Sequence, residues 1–292
     1  MSKTIKKNPL VTVIIPTYNR GWILKEAIES VLSQDFDDFE LIVVDDGSTD
    51  NTDSILDEYA GDIIVLRQDN RGVSAARNAG INFASGQLIA FLDSDDVWLP
   101  KKLTSQVDFF NSNPDVLICQ TQELWIRNGK RVNPKNRHKK ISGMIFKQSL
   151  PLCIVSPSAV MLKKKLLDQT GVFDETLPAC EDYDLWLRIS CRYPVFLIDT
   201  PLIIKRGGHG DQLSKTPGLD KYRIKALKKI ILSGILSRDQ YIDAVKMLQE
   251  KCKIYAQGCL KRGRRDEAKY YFDFVQRYTK SINPASKGRD IS

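Results

Sequence analysis

Four short apolar runs, Leu10–Ile15, Leu41–Val44, Ile63–Leu66 and Leu88–Leu92, alternate with amphipathic stretches over the first third of this 292-residue chain. Each is rich in large aliphatic side chains and is soon closed by Pro, Gly, Asn or Asp, as buried strands are. Trp22, Ile23, Ala27, Ile28, Val31 and Leu32 recur at helical spacing between the first two runs. A helix capped by Thr49 or Asp50 is predicted through Tyr59, and another from about Val73 to Ala84, closed by Gly86. Strands alternating with helices dictate a mostly parallel α/β sheet covered on both faces. In such sheets ligands bind at the carboxyl ends of the strands.

Those ends carry chemistry. The first run delivers Pro16, Thr17, Tyr18, Asn19 and Arg20, the second Asp45 and Asp46, and the fourth Asp93-Ser94-Asp95-Asp96. Three carboxylates in four positions repel and raise one another's pKa, so the arrangement is costly unless a cation sits among them. Hard oxygen ligands at a strand mouth suit Mg2+ or Mn2+, which keep waters and share their coordination with substrate phosphates. The alternative is a solvated turn that caps the next helix, a role in which Asp and Ser are common.

Val11-Thr-Val-Ile-Ile-Pro-Thr-Tyr-Asn19, Val43-Val-Asp-Asp-Gly-Ser-Thr-Asp50, Asn70-Arg-Gly-Val-Ser-Ala-Ala-Arg-Asn-Ala-Gly80 and Leu92-Asp-Ser-Asp-Asp96 stand in order along residues 11–103. Together they resemble the nucleotide-binding half of the family 2 glycosyltransferases. The resemblance implies a GT-A, Rossmann-like, mixed but mostly parallel sheet flanked by helices. It implies that Tyr18 and Asp46, with Pro16, Thr17 and Ser94 beside them, meet the base and ribose of a nucleotide-sugar. Arg77 would lie near the nucleotide and its phosphates, and Asp93 and Asp95 would form the DxD that binds ribose and metal.

Pro100 to Asn111 is predicted as a helix and Val116 to Cys119 as a further strand. Leu185, Trp186 and Ile189 follow Glu181 and Asp182 at helical spacing, so this acidic pair sits where a helix dipole stabilises anions. By itself the pair is a plain N-cap. The resemblance makes Asp182 the catalytic base, with Glu181 the alternative, and His209 a ligand completing the metal site; a lone His is otherwise an exposed or satisfied side chain. The Gln-x-x-Arg-Trp motif of the processive subclass is missing after Asp182, which favours single addition.

The net charge of +8 divides unevenly: residues 1–100 carry 8 Lys/Arg against 17 Asp/Glu, leaving 36 against 19 in residues 101–292. Part of the excess lies in Arg127–Lys140, with seven basic residues and no acid, which reads as a solvated hairpin or as a cradle for an anionic acceptor or lipid surface. More lies in residues 220–280, helical throughout, with 16 Lys/Arg against 7 Asp/Glu. These segments divide the chain into a catalytic domain over 1–215 (halves 10–103 and 104–215), a basic helical extension over 216–283 and a disordered tail over 284–292.

No stretch reaches membrane-spanning length and the N-terminus lacks a signal-peptide core, so a cytoplasmic protein is expected, with peripheral contact to an anionic membrane an option. Six cysteines without zinc spacing read as free thiols. Against a sugar nucleotidyltransferase, the first strand lacks a glycine-rich loop with Arg and Lys. Against nucleic acid, the basic run has no interleaved aromatics for base stacking. Asp46, Asp95 and Asp182 together argue against a non-catalytic nucleotide-binding remnant. The expected activity is metal-dependent inverting transfer from a nucleotide-sugar donor, UDP-sugar by analogy, to a hydroxyl of a glycan or lipid-linked acceptor.

Overall fold

The computed structural model describes residues 8–208, 210 and 218–282, with side chains to 274. Strand β1 (Val11–Thr17) is followed by helix α1 (Leu24–Leu32), β2 (Phe39–Asp45), α2 (Thr52–Asp57), β3 (Ile64–Arg67), α3 (Val73–Phe83) and β4 (Leu88–Phe91). All of β1, β2 and β4 is buried, as strands covered on both faces must be. Strands β1 to β4 pair in parallel, in the order β3-β2-β1-β4. The chain leaves β1 on one side and returns on the other, so a crevice opens at the carboxyl ends of β1 and β4, where strand order reverses.

Next come β5 (Val97–Trp98), α4 (Lys102–Ser112), β6 (Ile118–Arg127), β7 (Lys130–Val132), α5 (Phe146–Ser149), β8 (Val160–Lys163), α6 (Lys164–Thr170), α7 (Glu181–Ser190) and β9 (Phe196–Gly207). The sheet continues β4-β8-β6-β9-β5, with β8 antiparallel to β4 and to β6, and β9 parallel to β6. The result is the mixed, mostly parallel GT-A sheet that the sequence led us to expect. Its side chains alternate between two cores. Val13, Ile15, Leu41 and Val43 face α1 and α4, whereas Ile14, Ile42, Val44 and Phe91 face α3, α6 and α7.

Helices α8 (Leu219–Leu232), α9 (Arg238–Lys261) and α10 (Arg265–Ile282) form a third core with α5 and α7, in which Tyr183, Leu187 and Phe146 meet Leu227, Leu248 and Cys252. A capping box at Ser237 and Gln240 starts α9, and the Gln240 side chain also donates to the Cys191 carbonyl beyond α7 at 2.9 Å. Among the described residues no helix is long and apolar enough to cross a membrane.

Local expectations shift in four places. Trp22, assigned to the apolar face of the first helix, precedes α1 in a turn and is 56% exposed. The helix expected from Pro100 starts at Lys102, whose ammonium is buried 3.5 Å above the Trp98 ring. The strand expected at 116–119 extends to Arg127, because β9 supplies it with a partner along that length. In the basic run six cations are exposed on the β6–β7 hairpin and the loop after it, but Lys140 turns inward to pair with buried Glu123 at 2.9 Å. Burial works against that carboxylate, yet Lys140 and then Lys205 hold its pKa down to about 2. His209, the boundary at 215 and the 284–292 tail lie outside the described residues.

The seat of α3 on β1 is tight: a Cβ at Gly80 would stand 2.5 Å from the Ile14 side chain. Gly80→Ala is therefore expected to cost about 1–3 kcal/mol, read from urea unfolding. In an Ile14→Ala background the same change should cost much less. Equal costs in both backgrounds would show that the contact is not the source.

Candidate functional site

The crevice is a cleft of about 780 Å³ lined by Pro16, Thr17, Tyr18, Asp46, Arg77, Asp93, Ser94, Asp95, Glu181 and Asp182. Each of these was singled out from the sequence, and they line one cavity. The pairing register explains the donor half: β1 ends at Thr17 opposite Asp45, and Leu92, just past β4, donates its amide to the Ile14 carbonyl at 3.0 Å. Tyr18 is 46% exposed, a ring left standing over the crevice.

Asp46 is buried and does local work. Its carboxylate accepts from Gln68 Nε2 at 2.6 Å, Arg71 N at 2.9 Å and Gly72 N at 2.7 Å. This holds the turn that launches α3, where Gly72 has φ 90°, a conformation that suits glycine. Arg77, one turn into that helix, is 4% exposed and donates from Nη1 to Glu181 at 2.6 Å and from Nη2 to Asp93 at 2.7 Å. Arg77, expected near the nucleotide and its phosphates, lines the cleft, and its guanidinium is committed to two carboxylates that tie the β4 loop to the start of α7.

The three clustered carboxylates part company in three dimensions. Burial works against Asp93, but Arg77 and Lys205 hold its carboxyl below the usual range. Asp96 is buried, accepts from Ser158 Oγ at 2.7 Å and Arg206 N at 2.9 Å, and is pushed up to about 8 by burial and by Asp95 and Asp93. It anchors β9 and the turn before β8. Among the described residues Asp95 keeps a long ion pair, with Arg20 at 3.6 Å, and its pKa is raised by burial and by Asp93.

A divalent cation fits this donor set. Asp95 is a hard oxygen ligand short of positive charge, beside Asp93, and the buried Thr17 Oγ1 nearby has no hydrogen-bond partner. Among the described residues no group of three His, Cys, Asp or Glu side chains is close enough to hold a metal alone. A cation here would therefore draw further ligands from substrate phosphates and water, as Mg2+ and Mn2+ do.

At the other end, Asp182 lies in the first turn of α7, accepting from Tyr183 N at 2.7 Å and from the Cys153 thiol at 3.4 Å. Glu181 points inward, 5% exposed, onto Arg77. Sequence reasoning passed over Lys205, Cys153 and Arg223, all on the cleft wall. Lys205 donates to Ser156 Oγ at 3.0 Å, and Glu123, Asp96, Asp93 and Asp182 keep its ammonium charged against burial. The one local signal was a Lys-Arg pair ending an apolar strand; Cys153 and Arg223 carry none.

A sheet of this order, with a carboxylate-rich crevice at the strand ends and the Glu181–Asp182 pair on the same cleft, is that of a sugar-transferring enzyme on the GT-A fold. Residues 12–171 match the family description "Glycosyl transferase family 2", and the chain belongs to that family. It is 33% identical over 214 residues to an uncharacterized glycosyltransferase of Rickettsia prowazekii, covering 72% of this chain and 67% of that one. Longer rickettsial relatives are matched over about a third of their length. The UDP-Glc:alpha-D-GlcNAc-diphosphoundecaprenol beta-1,3-glucosyltransferase WfgD of Escherichia coli is 35% identical over 182 residues, 62% of this chain and 69% of that protein. Among solved structures, S. aureus TarS 1-349 in complex with UDP-GlcNAc superposes with a TM-score of 0.73 at 20% identity, over 94% of this chain and 81% of that one. The mannosyltransferase PcManGT of Pyrobaculum calidifontis, in complex with GDP-Man and Mn2+, gives 0.60 at 17% identity, over 96% and 85%. The protein is a glycosyltransferase.

Removing the buried guanidinium would strand two carboxylates. Arg77→Met is expected to cost about 3–5 kcal/mol in chemical denaturation. Arg77→Lys should recover little of it, because one ammonium cannot reproduce a fork that serves two partners. A loss below about 1 kcal/mol would mean that water replaces the guanidinium.

Proposed function

We propose that this glycosyltransferase moves a single sugar from a UDP-sugar to a hydroxyl of a glycan or lipid-linked acceptor, with inversion and with Mn2+ or Mg2+ as cofactor. The observation that carries the reading is the division of the cleft. Asp95, beside the Arg77-paired Asp93, marks one end of the cleft with a carboxylate held only by a long ion pair to Arg20, while Asp182 stands apart next to Glu181, which Arg77 neutralises. UDP as the nucleotide and a lipid-linked acceptor are carried over from TarS and WfgD as analogies.

In this reading Tyr18 stacks on the base, and Thr17, Asp46 and Ser94 surround the uridine and ribose. Arg77 acts by holding Asp93 in place. Asp95 and Asp93, with His209, would hold the metal, which when bound neutralises charge developing on the diphosphate. Asp182 accepts the proton of the acceptor hydroxyl as its oxygen attacks the anomeric carbon. The bond from that carbon to the diphosphate oxygen breaks, and UDP departs with the electron pair. One displacement inverts the anomeric configuration. Glu181, ion-paired and buried, is poorly placed to take that proton, so we assign the base to Asp182. We assign residues 1–215 to this chemistry and 216–283 to a helical extension.

The test separates binding from catalysis. Asp182→Asn should lower single-turnover transfer by about a hundred- to ten-thousand-fold while leaving donor Kd, measured by calorimetry, nearly unchanged. Asp95→Asn should lose affinity for metal and UDP together, and EDTA should abolish transfer. Transfer by Asp182→Asn at close to the wild-type rate would return that side chain to helix capping, and full activity in EDTA would remove the metal.

Peripheral contact with an anionic membrane at the inner face is part of the same proposal. It is supported by the six exposed cations Arg127, Lys130, Arg131, Lys135, Arg137 and Lys139. Each Lys or Arg near an anionic bilayer contributes about 1 kcal/mol, so several together give reversible attachment. The chain should sediment with phosphatidylglycerol vesicles and stay behind with phosphatidylcholine alone; equal sedimentation would refute the contact.

A further inference from the structure

The charge pattern of the cleft does not end at Asp182. Beyond it the wall is built by Pro178, Ala179 and Cys180, the approach to α7, and by Leu219 and Arg223 from the first helix of the extension. Cys180 takes the left-handed conformation, φ 60°, at the cap of α7, and its thiol lies 3.8 Å from the Leu219 carbonyl. The extension therefore borders the catalytic cleft as well as packing behind it.

Arg223 is the cation it brings there. Nη1 pairs with Asp220 at 3.0 Å, but Asp220 is shared with Lys251 at 3.4 Å, so one carboxylate faces two cations and positive charge is left over. The Arg223 side chain is 18% exposed on the cleft wall, and among the described residues its Nε has no hydrogen-bond partner. A guanidinium edge offers parallel N–H groups that match the oxygens of a phosphate and serve a neutral sugar hydroxyl poorly.

We infer that Arg223 is a specificity-determining residue that recognises a phosphate or diphosphate group carried by the acceptor. This rests on the reading that the Asp182 end of the cleft receives the acceptor. It gives the extension a place in substrate selection: Arg223 adds to the cleft wall a cation whose one carboxylate partner is shared with Lys251, on a helix outside the Asp93–Asp95 loop.

Calorimetry on the full chain can test this with geranyl diphosphate as probe, titrated into protein saturated with UDP, with metal matched in cell and syringe. Saturation with UDP closes the donor end to the probe, and UDP affinity itself reports on folding and on the donor site. The wild type should bind the probe, Arg223→Gln should weaken it at least about tenfold, and Arg223→Lys should keep part of the affinity, while UDP affinity stays the same in all three. Geraniol should not compete. Competition by inorganic pyrophosphate would place recognition in the phosphates; failure of pyrophosphate alongside binding of geranyl diphosphate would place it in a lipid-linked phosphate. Undiminished probe binding by Arg223→Gln, or a wild type that binds UDP and not the probe, overturns the inference and leaves the donor site standing. A wild type that fails to bind UDP refutes the donor reading on which the inference rests.

Discussion

Arg77 is the residue through which the two halves of the cleft are made one. Its guanidinium reaches Asp93 after β4 and Glu181 at the start of α7, segments 88 residues apart in the chain. The next residue reinforces the join, because the Asn78 amide exchanges hydrogen bonds with the Phe173 backbone at 2.9 and 3.1 Å. A buried ion pair of this kind is weak evidence for stability and strong evidence for geometry. Without it, Asp93 and Asp182 would have no common frame.

The same constraint divides the acidic residues by task. Six carboxylates line the crevice, and burying them all charged is prohibitive unless each is paired, kept protonated or left to a ligand. Arg77 neutralises Asp93 and Glu181, Asp46 is consumed by three donors in the turn before α3, and Asp96 is pushed up to about 8 by burial and its acidic neighbours while it ties down β9. Asp182 and Asp95 are what is left, and Asp95, held only by a long ion pair to Arg20 beside Asp93, is where a hard cation with substrate phosphates would belong.

The extension alters how the acceptor side is understood. Helices α8 to α10 share a core with α5 and α7, so the helix that bears Asp182 is packed from behind by the segment that also presents Arg223 to the cleft. Positioning and selection then come from one packing event. A group acts with precision only when the elements that carry it are themselves held in place.

Much of this was written locally. Strand runs closed by Asp, Gly and Pro, the helical periodicities between them and the order of the motifs were enough for a parallel α/β sheet, for its GT-A character and for a crevice lined by Tyr18, Asp46, Asp93 and Asp95, because side-chain periodicity and turn chemistry act over a few residues. The tertiary structure alone decided which carboxylate is charged, which is structural and which is left for a ligand. Asp93, Asp95 and Asp96 look alike in the chain, and their partners Arg77, Arg20, Ser158 and Arg206 come from four separate segments. It also decided that Lys140 is buried while its neighbours are exposed, that Arg77 joins two loops, and that Arg223 borders the cleft. Local pattern specifies elements, whereas electrostatic environment is a property of what folding brings from a distance, and no window of sequence contains it.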